Sequence, residues 1–199
     1  MSTATATAPQ KIWTEEDLLA MPDDGIERWI IGGKLREKPS EFPEAKMTVR
    51  NRHHCGIMSA VVTTVMIWLR KQPKPRGEVY CGEVGVRLPG SFATVGVDVA
   101  YAPAAVVAVQ DDEKTTLLDG VPTLTVEILS PNDYQEQIHE KTREYLRAGV
   151  AIVWVIDPDD QTVKVYRSGQ PVESFNITHR LPEHPAMPGF APTVAELFE

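Results

Sequence analysis

The segment spanning residues 124–157 constrains this chain more than any other. It reads as a buried strand, a turn, a helix and a second buried strand, the length of a crossover joining two parallel strands. Two of its residues are ones an inert core would not choose. Glu127 interrupts the apolar run Leu124-Thr125-Val126-Glu127-Ile128-Leu129. At about 100° per residue, Tyr134, Ile138, Lys141, Tyr145 and Ala148 share a narrow arc of the helix, with Lys141 near its middle. A charge in apolar surroundings is costly unless it is paired or binds a metal, so this segment directs the search for function.

The remaining chain supplies a frame for it. Thr14 followed by Glu15-Glu16-Asp17 predicts a short capped helix, ended by Pro22-Asp23-Asp24-Gly25. Trp29-Ile30-Ile31, Gly32-Gly33 and Lys34-Leu35-Arg36 predict a β-hairpin, and residues 37–50 read as loop. Ile57, Val61, Val65 and Trp68 recur at helical spacing within 53–71, closed by Pro73 and Pro75. Two or three strands are expected over 78–81, 83–88 and 95–101, a solvated loop over 110–121, then strand 123–129, helix 133–148, strand 151–156 and strand 162–166. Gly149 stands where a left-handed residue ends a helix. This order implies an α/β (α+β) fold, a mixed β-sheet flanked by helices with an N-terminal helix–hairpin extension. One domain over 13–199 is expected, after a disordered lead-in at 1–12.

Composition and charge narrow the function classes. The formal net charge of −8 argues against a general nucleic-acid binder, yet residues 34–76 carry ten Lys/Arg and three acids, leaving −15 for the rest. Such asymmetry can mark a docking face for a polyanion, with strongly salt-dependent binding; a solvated basic loop and helix end is the plainer reading. No apolar run is long enough to span a bilayer, so no membrane partner is expected. Cys55 and Cys81 lack metal-ligand spacing, and the N-terminus lacks the pattern of a signal peptide. A reduced, cytoplasmic protein is the resulting expectation.

A second carboxylate completes the chemical pattern. In Val95–Tyr101, strict alternation puts Val97, Val99 and Tyr101 on one face, and Gly96, Asp98 and Ala100 on the other. Small neighbours beside Asp98 leave room for an approaching group. Carboxylates on neighbouring strands repel unless a cation lies between them, and Mg²⁺ or Mn²⁺ suits such a pair with water and phosphate oxygens. Lys141 could neutralise the acids, or hold a water or phosphate oxygen; laying its stem over apolar surface is the simpler alternative. His54 shares the stripe of Ile57 and Val61, where a histidine is more often structural.

These residues resemble the PD-(D/E)xK nuclease superfamily, and the whole chain resembles its Uma-type restriction endonuclease family. The matching pieces are EEDLLAMPDDG at 15–25, GEVGVRLP at 82–89, VDVAYAP at 97–103, LTVEILSPND at 124–133 and KTREYLRAGVAIVWVIDP at 141–158, with PGF at 188–190 and ELF at 196–198. The segment EILSP and the lysine-to-DP block are the specific parts. The resemblance implies Asp98, Glu127 and Lys141 as the catalytic set, and Asp98, Glu127 and the Ile128 carbonyl as ligands of Mg²⁺ or Mn²⁺. It also implies His54 as an accessory residue. Superfamily members usually carry lysine two residues after the second acid; here that position is Leu129, and the family places the lysine on the following helix. Two departures stand out. Val97 precedes Asp98 where the family has proline, and the hairpin 28–35 lacks the acids the family carries there, a missing helper if that first acid assists the metal.

The resemblance thus implies a metal-dependent endonuclease that hydrolyses DNA phosphodiester bonds, leaving 5′-phosphate and 3′-hydroxyl ends. A catalytically inactive nuclease fold serving as a binding or homodimeric interaction module is the alternative, favoured by the hairpin and the net charge. A core of mutually paired charges with no ligand is a third.

Overall fold

The computed structural model describes residues 11–24, 26–38, 52–90, 93–111, 113–130 and 133–199. Helix α1 (Glu15–Leu19) leads into strands β1 (Arg28–Ile31) and β2 (Lys34–Glu37), followed by the long helix α2 (Arg52–Arg70). Strands β3 (Glu78–Leu88) and β4 (Ala93–Ala102), the short helix α3 (Ala104–Val107) and strand β5 (Leu118–Asp119) come next. Then follow β6 (Leu124–Ile128), α4 (Gln135–Ala148), β7 (Ile152–Asp157), β8 (Thr162–Tyr166) and β9 (Glu173–Asn176), with a final tight turn at Ala195–Leu197. Most of the lead-in, the loop after the hairpin, Gly25, and the Pro131-Asn132 turn lie outside the described residues.

Local chemistry accounts for the element ends. Thr14 and Asp17 form a reciprocal capping box that satisfies orphan N–H groups of α1. Gly149 closes α4 at φ 101°, a left-handed conformation in which a Cβ is strained. Gly149→Ala is therefore expected to cost about 1–2 kcal/mol, read as a lower urea midpoint with an unchanged slope.

The sheet is mixed and nine-stranded, in the order β2-β1-β4-β6-β7-β8-β9, with β3 branching from β4 and β5 pairing with β3. Strands β6 and β7 run parallel, as the crossover requires, and the other pairs except β3–β5 are antiparallel. Helix α2 buries Ile57, Val61, Val65 and Trp68 against Val99, Val126, Ile128 and Trp154 on one face. Tyr145 of α4 packs with Trp29, Val97, Ala100 and Val153 on the other.

One expectation is narrowed and two need correction. Of the two or three strands expected here there are two, with residues 78–88 forming one because a bulge absorbs the break: Cys81 pairs with Val99 and Val84 with Val97, so Gly82 and Glu83 together oppose Asp98. Both bulged residues have positive φ, 90° and 60°. The strict alternation expected for β4 also slips there. Val97 belongs to the α4-side core with Val95, whereas Val99 and Tyr101 belong to the α2 side. Finally, the loop 110–121 contains β5, whose Leu118 is buried beside Val86.

One edge of β4 positions everything that follows. Strand β3 runs along the whole of its other edge, but this one is shared. It pairs with β1 only at Thr94 and with β6 only at Val99–Tyr101. Between those contacts β1 and β6 part, leaving a notch beside Gly96 and Asp98.

Candidate active site

The notch is lined by polar groups drawn from both faces of the sheet. His54 enters from α2, Lys141 from α4, Asp98 from β4, and Glu127 and Ile128 from β6. The four ionisable residues are each at most 6% exposed. Residues distant in sequence thus meet in one recess, where the sheet lacks a ladder to exclude them.

Asp98 stands where the β4–β6 ladder stops. Continuing the register would pair it with Glu127. Instead its Oδ2 accepts the Ile128 N–H at 2.8 Å, a side chain taking over a ladder bond. Its Oδ1 lies 3.3 Å from His54 Nε2, while His54 Nδ1 is buried without a hydrogen-bond partner among the described residues. The structure thus engages the N–H of Ile128, the residue whose carbonyl was the expected ligand.

Glu127 faces α4. Tyr145 donates its hydroxyl proton to Glu127 Oε1, and Lys141 Nζ lies 3.4 Å from Oε2. Burial pushes the Glu127 carboxyl up to about 7; Asp98 and Glu27 add to the rise, against the pull of Lys141 and Tyr145. Burial acts against the charge on Lys141, but Glu127 and Glu27 outweigh it and raise its pKa. Burial, followed by the Glu127 carboxylate, also raises the Tyr145 phenol, keeping it a donor.

The rim adds residues that sequence reasoning missed. Glu27, the residue before β1, lies 3.3 Å from Lys141 Nζ through Oε1 and 3.5 Å from Lys38 Nζ through Oε2. Lys38 also reaches Asp133 at 2.5 Å and Ser130 Oγ at 3.0 Å. With Glu83, the recess holds five carboxylates against two lysines and His54. That excess makes the interior attractive to a cation. The buried oxygens of Asp98 and Glu127 suit a hard divalent ion, which takes one or two carboxylates and fills its other positions with waters and phosphate oxygens. Among the described residues, no three His, Cys, Asp or Glu side chains converge to form a complete protein-made metal site.

The described residues of the basic segment do not form one patch. Arg52 and Arg70 begin and end α2, about 27 Å apart along its axis. Arg36 is tied to Glu140 by two hydrogen bonds and Lys38 to the rim. Lys46 and Arg50 lie outside the described residues.

The sequence model of Uma2, described as "Putative restriction endonuclease", matches residues 16–195. The chain belongs to the Uma2 family. Its fold is shared with a solved structure described as a putative nuclease belonging to DUF820 from Anabaena variabilis: the TM-score is 0.74 at 23% identity, over 93% of this chain and 97% of the other. The comparison with curated proteins returned no match. No helix among the described residues of this Uma2 chain is long and apolar enough to cross a membrane. The lysine carried by α4 in this Uma2 chain reaches the second acid despite the fourteen-residue separation. The helix turns its inner face over the strand that precedes it.

Proposed function

We propose that this Uma2 protein is a Mg²⁺- or Mn²⁺-dependent endonuclease that hydrolyses DNA phosphodiester bonds. The observation that carries the reading is the convergence of Asp98, Glu127 and Lys141 in one buried, carboxylate-rich recess of a Uma2-family chain. In this reading Asp98 and Glu127, with the Ile128 carbonyl, hold the ion. A divalent ion there supplies Lewis-acid polarisation of the scissile phosphate and favours ionisation of the attacking water. Lys141 orients that water or balances charge developing on the phosphate. Tyr145 fixes the Glu127 carboxylate through its hydrogen bond, and His54 stands beside Asp98, its Nε2 facing Oδ1. The products carry 5′-phosphate and 3′-hydroxyl ends. A single domain over 13–199 contains every residue of the proposed site.

A metal titration across pH tests this reading. Glu127 titrates near 7 in the folded protein, above its ordinary 4.5. A raised carboxyl contributes stability below its unfolded pKa and loses it as pH rises through the folded one. The metal-free protein is therefore expected to lose stability between about pH 5 and 7.5, by at most about 1.4 kcal/mol per pH unit from this group. Mg²⁺ favours the ionised carboxylate, so it should flatten that loss, with metal affinity falling about tenfold per pH unit below 7. Plasmid cleavage should follow the same ionisation. A protein that neither binds nor is stabilised by Mg²⁺ or Mn²⁺, and that cuts no DNA with either, would overturn the proposal.

A further inference from the structure

Lys141 is held by more than the acid it was expected to meet. Among the described residues, its ammonium has three oxygen acceptors: Glu27 Oε1 at 3.3 Å, the Gly96 carbonyl at 3.3 Å and Glu127 Oε2 at 3.4 Å. An ammonium has three donors, so these oxygens saturate it. They come from either side of the notch and from the β4 edge between.

Alternation along the hairpin explains how Glu27 arrives there. Glu27, Trp29 and Ile31 share one face, and Trp29 and Ile31 belong to the α4-side core. Trp29 places its ring centroid 5.0 Å from Lys141 Nζ, within cation–π range. Glu27 also accepts the Lys38 N–H through its backbone carbonyl, at 2.9 Å, extending the hairpin pairing by one residue pair. Its other carboxylate oxygen faces Lys38 Nζ. Glu27 thus joins the two lysines of the recess, and Arg36–Glu140 fastens the same hairpin to α4, one residue before Lys141.

A metal-ligand role would require Glu27 to converge with Asp98 and Glu127, and no such three-residue cluster exists among the described residues. We infer that Glu27 is a positioning residue, which holds the Lys141 ammonium at the notch and couples it to the β1–β2 hairpin through Lys38. This rests on the hydrolase reading for its catalytic consequence, but the hold itself does not depend on it. The hairpin lacking the expected acids thereby serves the lysine rather than the ion. Substrate closing on the hairpin would also be felt at Lys141.

The test uses the full chain and the variants Glu27→Gln and Glu27→Asp. With Mn²⁺ as the probe in calorimetry, Glu27→Gln should bind within about twofold of the parent, whereas a lost ligand costs far more. In Mg²⁺-dependent cleavage of supercoiled plasmid, Glu27→Gln should lower kcat about tenfold with little change in KM. Glu27→Asp should restore that rate in part. Acetylation of Lys141 by an N-hydroxysuccinimide ester at pH 8.5, read by peptide mass spectrometry, should be severalfold faster in Glu27→Gln and intermediate in Glu27→Asp. Loss of Mn²⁺ binding would make Glu27 a ligand and overturn the inference, as would labelling of Lys141 at the parental rate in both variants. A parent protein that cuts no DNA with either ion defeats the hydrolase reading alone, because the labelling still decides what Glu27 does. If Glu27→Gln fails to fold, Glu27→Asp carries the comparison: parental rates of cleavage and labelling would overturn the inference.

Discussion

Lys141→Met is expected to destabilise the protein by about 3 kcal/mol at pH 7.5 and to reduce DNA cleavage by two to three orders of magnitude, roughly the loss seen when a preorganised charge partner is removed. Lys141 is 4% exposed and its ammonium faces Glu127 and Glu27, with Asp98 behind. Methionine preserves much of the stem's packing, so the deficit isolates the charge. Breaking a buried ion pair from one side leaves the other charge uncompensated, at about 3–5 kcal/mol. Glu127 can limit that cost by taking up a proton, since it already titrates near 7, which places the expectation at the lower end. Adding Glu127→Gln should therefore restore part of the stability while leaving cleavage absent. Urea unfolding of the two single variants and the double variant measures this coupling. A loss below about 1 kcal/mol for Lys141→Met would mean that the ammonium is not the counter-charge of the recess.

The opposite balance is expected for Asp98→Asn. Cleavage and divalent-ion binding should fall by about three orders of magnitude or more, while the fold survives. The amide oxygen can still accept the Ile128 N–H, the bond that closes the β4–β6 ladder. The amide nitrogen would then meet His54 Nε2, which can accept it once the histidine proton moves to Nδ1, now without a partner among the described residues. Removing the Asp98 charge also removes one of the groups that raise Glu127. The pH at which the metal-free protein loses stability should consequently move down. A melting temperature at or above the parent's, with activity absent, is the expected signature. Retention of both metal binding and cleavage would remove Asp98 from the site.

Much of this was legible in the sequence, for physical reasons that differ from element to element. The β6–α4–β7 crossover was readable because its apolar periodicities are long and its helix ends on Gly149. The buried stripe of α2 was readable through Ile57, Val61, Val65 and Trp68 despite its β-branched run, whose weak helix propensity is outweighed by packing on the sheet. Strand β9 escaped notice because, of Glu173, Ser174, Phe175 and Asn176, only Phe175 is apolar, and the four lie at the sheet edge. Glu27 escaped for another reason. An acid beside Arg28 looks like a solvated loop residue, and its partner Lys141 is 114 positions away. Only the edge of β4, shared between two strands, brings them together.

The bulge at Gly82-Glu83 gives the site an arithmetic basis. Two residues there stand against the single Asp98, and across that point β4 changes which core its side chains enter. Deleting one of the two would make the counts equal and favour an even pleat. One half of β4 would then have to turn its side chains over, trading Val95 and Val97, or Val99 and Tyr101, between opposite cores. Substitutions at the recess alter its chemistry one group at a time. A deletion here would alter parity, and no choice of side chain elsewhere on β4 could compensate for it.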